Sequence, residues 1–91
     1  MQQAHVFISG RVQGVGYRYF VKSNAKKLGL MGWVLNTEDG GVEAVLQGDE
    51  KTIEQMIALC RQGPLLAEVE HIGFELEAAE ETFTDFKIIK E

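Results

Sequence analysis

The sequence predicts an α+β sandwich, an antiparallel sheet carrying two helices on one face. Three observations predict it: segments that alternate apolar and polar residues with the period of a strand, two segments whose apolar residues recur every three or four positions, and the order of these segments. That order is β, α, β, β, α, β with a short extra C-terminal strand, the split βαβ arrangement of a ferredoxin-like fold. Right-handed crossovers and one strongly apolar face per strand put both helices on the same side.

Each element has its own justification. From His5 to Val12 the chain alternates, with Val6, Ile8 and Gly10 on one side and Phe7, Ser9 and Arg11 on the other, as a half-buried strand does. After a glycine-rich stretch, Phe20, Val21, Asn24, Ala25 and Leu28 recur at spacings of three and four and Gly29 closes the run, which predicts a helix over about residues 18–29. Gly32–Asn36 and Gly41–Gln47 are β-rich runs on either side of Asp39-Gly40-Gly41, whose glycines supply the positive φ of a hairpin turn. Asp49 is placed to cap a second helix with the apolar stripe Ile53, Met56, Ile57 and Cys60, and Gly63-Pro64 ends it. Glu70 to Ala78 sets Ile72, Phe74, Leu76 and Ala78 on one face against His71, Gly73, Glu75 and Glu77. Phe86 to Ile89 makes the last strand, and the polar run Glu77 to Glu81 before it reads as an exposed loop.

Composition bounds the function. Ninety-one residues, 45% hydrophobic and 25% charged, with one proline and ten glycines, predict a single globular domain over residues 1–91. One cysteine forms no intrachain bridge, so the fold stands on its apolar core, which suits a reducing compartment. The apolar stretches fall far short of the roughly 20 residues that span a bilayer, so no membrane association is expected. Met1 to His5 carries no Lys or Arg and leads straight into a strand, so it does not read as a secretory signal. A cytoplasmic monomer is the expectation. The net charge of −5 argues against a nucleic-acid partner, which requires a basic face. It conceals an asymmetry: residues 1–35 hold Arg11, Arg18, Lys22, Lys26 and Lys27 and no acid, whereas residues 36–91 hold all 14 acids. Such a basic island draws a small anion to an otherwise acidic protein, although a solvated helix face gives the same clustering.

The chemistry is carried by Gly10-Arg11-Val12-Gln13-Gly14-Val15-Gly16-Tyr17-Arg18, a glycine-rich loop between strand and helix. Closely spaced glycines let successive backbone N–H groups point inward as an anion nest, and the helix N-terminus adds partial positive charge. Phosphate is the natural guest. No Gly-Lys-Ser/Thr occurs, and Tyr19 stands where a dinucleotide fingerprint needs its third glycine, so ATP and NAD sites are excluded. The same loop also fits glycines that merely permit a sharp turn.

This loop resembles the first motif of the acylphosphatases, and Gly32-Trp33-Val34-Leu35-Asn36-Thr37-Glu38-Asp39-Gly40-Gly41-Val42, with Gly48 beyond it, resembles the second. The resemblance spans nearly the whole chain. It implies hydrolysis of the carboxyl–phosphate bond of acyl phosphates to a carboxylate and inorganic phosphate, with no cofactor and no metal. It further implies that Arg18 is the substrate-binding arginine and Asn36 the asparagine that positions the attacking water. Val12, Gln13, Gly14, Val15, Gly16, Tyr17 and Arg18 would form the phosphate cradle. Leu35 departs from relatives that often carry a basic or longer polar residue there, which bears on the surroundings of the site. An acyl phosphate is a mixed anhydride with a good leaving group, so binding charge and aiming a water can suffice. Arg18 offers a planar fork to two phosphate oxygens, and Asn36 can orient a water but is no base, so the proton goes to the substrate's own phosphate oxygen.

Other residues read as structural. Tyr17 and Tyr19 flank a helix start and fit packing better than catalysis. His5 and His71 lack a partner at ligand spacing, and Cys60 falls on an apolar stripe as a small buried hydrophobe. Arg18 at a helix start is mildly unfavourable unless it serves an anion. The alternative function is a non-catalytic anion- or metabolite-binding module, since ferredoxin-like folds host many activities. An RNA-binding module is disfavoured by the acidic balance and by strands without a basic-aromatic run.

Overall fold

The computed structural model describes residues 1–90. Its elements are β1 (Gln2–Arg11), α1 (Tyr17–Lys27), β2 (Met31–Asn36), β3 (Val42–Gly48), α2 (Glu50–Gln62), β4 (Glu68–Ala78) and β5 (Phe86–Ile89), and the sheet runs β4-β1-β3-β2-β5. The first four strands pair antiparallel, as the ferredoxin-like order requires.

β5 corrects the expectation of a wholly antiparallel sheet. It lies parallel to β2, from Gly32↔Phe86 to Leu35↔Ile89. The reason is the route of the chain. β4 finishes at Ala78, opposite Gln2 at the start of β1, while β5 must occupy the far edge. The segment 79–85 therefore crosses the end of the sheet where β2 begins, and β5 sets off in the direction of β2. Gln47 holds this crossing, its Nε2 donating to the Glu81 and Gln3 side of the gap and its Oε1 accepting from the Phe83 N–H. This amide is 1% exposed with both ends bonded, as a buried polar group requires. Of the run expected as a loop, Glu77 belongs to β4 and Glu81 to the pinned crossing.

Alternation sends Ala4, Val6 and Ile8 of β1, Val34 of β2, Val42, Ala44 and Leu46 of β3, and Phe86 of β5 to one face, where they form a single buried cluster with both helices. α1 contributes Tyr17, Val21 and Ala25, and α2 contributes Ile53, Met56, Ile57 and Cys60. Truncating a side chain buried as Met56 is costs about 2–5 kcal/mol. α1 starts one residue earlier than the periodicity predicts and ends in a Schellman arrangement, with Gly29 at φ 75°, its N–H on the Lys26 carbonyl and the Leu30 N–H on the Ala25 carbonyl. Asp49 caps α2 by accepting from the Thr52 N–H at 2.9 Å. On β4 only Ile72 of the expected apolar face is buried; Phe74 and Leu76 are each 42% exposed because β4 is an edge strand.

Candidate active site

The loop between β1 and α1 is held at both ends by packing. Val12 is buried in the core, and Tyr17 sends its ring inward, where its hydroxyl donates to the Cys60 carbonyl at 2.7 Å. Burial holds the phenol well above its ordinary pKa, so it stays a neutral donor that ties the start of α1 to the last turn of α2. Between these anchors Gly14 and Gly16 sit at φ 75° and 79°, a left-handed conformation that costs other residues roughly 1–2 kcal/mol. A Cβ on either would meet no atom within 4 Å, so the space before them is open.

Gly16 is the N-cap of α1 and has no side chain to cap it, and no acid occupies the first turn. The first helical bond runs from the Phe20 N–H to the Gly16 carbonyl at 3.0 Å. The N–H groups ahead of Phe20 therefore have no intrahelical acceptor, and the positive end of the helix is not neutralised by a neighbouring carboxylate. Arg18 lies on this first turn and makes no ion pair among the described residues.

The second wall comes from the β2–β3 hairpin. Gly32, Val34 and Asn36 share the helix-side face of β2, so Asn36, its last residue, faces the start of α1. The turn beyond is tightly bonded: the Thr37 N–H donates to the Gly41 carbonyl at 3.0 Å, and the Gly41 N–H donates to Thr37 Oγ1 at 3.0 Å. The Thr37 hydroxyl also bonds the Asp39 carboxylate, and this bond, followed by that from the Gly41 N–H, holds the Asp39 carboxyl below its ordinary pKa. Gln13 joins the two walls. Its Nε2 donates to the carbonyls of Thr37 and Gly41, at 2.8 Å each, so its side chain is bonded to the hairpin.

The walls enclose two adjoining cavities. One, about 250 Å³, is bounded by Val12, Gly14, Gly16, Tyr17 and Tyr19 on the loop side and by Asn36, Ile88 and Lys90 opposite, with Arg18 between them. The other, about 300 Å³, shares Arg18, Asn36 and Lys90 and adds Ile89. Among the described residues no carboxylate or imidazole lines either. Asn36 Oδ1 is buried and has no hydrogen-bond partner among the described residues. A buried acceptor without a donor is costly unless a bound molecule supplies one. Val15 packs against the core rather than lining the cavity. Leu35 lies on the opposite face of β2 and lines neither cavity, although its partner Ile89 lines the second. A separate cavity of about 260 Å³, lined by the end of β1, the hairpin turn and His71, includes neither Arg18 nor Asn36. The described residues contain no cluster of three or more metal-ligating side chains, and no helix is long and apolar enough to cross a membrane.

Lys90 was not singled out by sequence reasoning, although continuing the alternation of Phe86 and Ile88 would have put it on the same face. Cys60 is buried as expected, and burial pushes its thiol up to about 11.

A ferredoxin-like sandwich whose glycine loop, helix start and arginine meet at a cavity with no acid among its described lining residues is a small α+β protein with the features of an anion site. The sequence model of the acylphosphatases matches residues 4–88. An acylphosphatase of Methylococcus capsulatus is 42% identical over 91 residues, covering 100% of this chain and 99% of its own. One of Methanothrix thermoacetophila is 48% identical over 85 residues and 92% of both chains. The crystal structure of acylphosphatase from Bacillus subtilis superimposes with a TM-score of 0.96 at 36% identity, covering 99% of this chain and 100% of that one. The chain belongs to the acylphosphatase family.

Proposed function

We propose that the chain hydrolyses acyl phosphates by positioning and electrostatics alone, with Arg18 and the backbone of the loop from Val12 to Arg18 holding the phosphoryl group and Asn36 aiming the water. The observation that carries this reading is the placement of Asn36, whose Oδ1 is buried and has no partner among the described residues, in the lining of the cavity that Arg18 and the loop share. A water held in that cavity by the Asn36 amide lies beside a phosphoryl group bound on the loop.

The phosphoryl oxygens take the N–H groups at the start of α1 and the two-pronged guanidinium of Arg18, whose charge persists as charge redistributes along the reaction. The water on Asn36 attacks phosphorus. The bond between phosphorus and the acyl oxygen breaks, its electron pair leaves with the carboxylate, and the water's proton passes to a phosphate oxygen. No protein base is required, in keeping with the lack of a carboxylate or imidazole among the described lining residues. The enzyme works as a single-domain cytoplasmic monomer on small-molecule acyl phosphates, with no nucleic acid, metal or cofactor in the reaction.

The test is hydrolysis of an aryl acyl phosphate in ¹⁸O water with chelator present. Chelator-resistant release of phosphate and carboxylate in equal amounts, with the label in phosphate, is the expected result. Label in the carboxylate would place the attack at carbon and overturn the mechanism. A kcat/KM profile requiring a deprotonated protein group near pH 6–7 would overturn the substrate's role as base.

A further inference from the structure

We infer that Lys90 is a specificity-determining residue that favours acyl phosphates whose acyl group bears a second anion; the inference rests on the hydrolytic reading above. Lys90 follows β5 directly, and continuing the register of Val34↔Ile88 and Leu35↔Ile89 sets it beside Asn36 on the helix-side face. It lines both cavities, together with Arg18 and Asn36.

The two cavities differ in what they offer. The loop cavity presents backbone N–H groups fixed by glycine geometry and the helix start, a rigid complement to a phosphoryl group. The adjoining cavity is lined by none of the loop's glycines and takes only Arg18 from it. Its lining is Arg18, Asn36, Ile89 and Lys90, an apolar contact flanked by two cations and an amide. A substrate with its phosphoryl group on the loop needs room for its acyl group, and this compartment of about 300 Å³ adjoins the site and is large enough for a short or aromatic one. With Arg18 committed to the phosphoryl oxygens, Lys90 is the remaining charge among the described residues that line the compartment. Lys90 is exposed and makes no ion pair among the described residues. A lysine is a point charge on a flexible stem, suited to an anion whose distance from the reacting phosphorus varies between substrates. The protein around it carries a net charge of −5, so an acyl anion meets attraction here and repulsion over much of the remaining surface.

The experiment compares 4-carboxybenzoyl phosphate with 4-carbamoylbenzoyl phosphate, which are close in shape, differ by one charge and cannot cyclise. For each, kcat and KM are measured in wild type, Lys90→Gln and Lys90→Arg, and the inhibition constant of inorganic phosphate checks the phosphate subsite in every variant. The readout is the ratio of kcat/KM for the charged substrate to that for the neutral one. Lys90→Gln should lower this ratio on the order of fivefold, through KM, with Lys90→Arg restoring most of it and salt weakening it in wild type. An unchanged ratio overturns the inference, whatever happens to overall activity. A fall in kcat of the same size for both substrates also overturns it, because it assigns Lys90 to the departing carboxylate. If wild type hydrolyses neither substrate, the hydrolytic reading itself falls and takes this inference with it; turnover with an unmoved ratio removes Lys90 alone.

Discussion

Removing the Gln13 amide uncouples the glycine-rich loop from the hairpin that carries Asn36. Its Nε2 makes two bonds of 2.8 Å, to the carbonyls of Thr37 and Gly41, in a half-buried setting. Neutral hydrogen bonds contribute about 0.5–1.5 kcal/mol each. Both carbonyls keep a second donor, the Gly40 N–H for Thr37 and the Thr37 N–H for Gly41, so neither is orphaned when the amide goes. Gln13→Ala should therefore cost about 1–2 kcal/mol, a fall in Tm of roughly 4–16 °C for a chain of this size. The effect on catalysis should be larger than that stability loss suggests, because a misplacement of about 1 Å between reacting groups can cost on the order of 10²-fold. We expect kcat/KM for acyl phosphate hydrolysis to fall between about 10- and 100-fold, measured well below the lowered Tm. Gln13→Glu sharpens the test. It keeps the shape but sets a carboxylate without a donor against two carbonyl oxygens, so at neutral pH it should be worse than alanine on both counts. If Gln13→Glu melts and turns over like wild type, the clamp has no role. If Gln13→Ala loses stability and keeps its kcat/KM, the clamp does not set the geometry of Asn36.

Three further outcomes follow from the site and its supports. Arg18→Ala should weaken phosphate inhibition and lower kcat/KM on the order of 10²-fold, and Arg18→Lys should recover little because a point charge cannot pair two oxygens at once; full rescue by lysine would show that charge alone matters. The Asp39 carboxyl is held below its ordinary pKa of 3.8 by the Thr37 hydroxyl and then the Gly41 N–H, so its stabilisation is complete above 3.8 and is lost as pH falls through the lowered folded value. Tm should fall below about pH 4, and the fall should be shallower in Asp39→Ala, where one linked proton is gone; an unchanged slope would remove Asp39 from the hairpin's energetics. Burial pushes the Cys60 thiol up to about 11, so the folded protein should resist an aromatic disulfide reagent at pH 8 and react fully in denaturant, and rapid stoichiometric reaction of the native state would contradict its burial.

Much of this architecture was legible because local patterns and tertiary packing agree. Glycines at 14 and 16 mark positive φ, and the strand period from Gly32 through Val34 puts Asn36 on the helix side. The same period puts Leu35 on the opposite face of β2 from Asn36, which a motif comparison alone does not reveal. Four apolar-rich residues, Phe86 to Ile89, identify a strand but not its partner or direction. Those depend on the crossing held by Gln47, a contact with no local signature. Periodicity names the apolar face of β4 without saying that an edge strand leaves Phe74 and Leu76 half-covered. Gln13 reads as part of a loop, and only the folded chain shows its amide on the hairpin carbonyls.

The central claim is that Arg18 and Asn36 divide binding from water positioning across one cavity, and Asn36→Ala tests it most directly. Inorganic phosphate and carboxylate release from benzoyl phosphate should be followed side by side in wild type and variant, with the inhibition constant of phosphate measured in both. The account predicts a kcat lower by about 10²–10³-fold, as for loss of a preorganised polar group, with phosphate inhibition within a few-fold of wild type. Turnover close to wild type, or a loss confined to phosphate affinity, would contradict it.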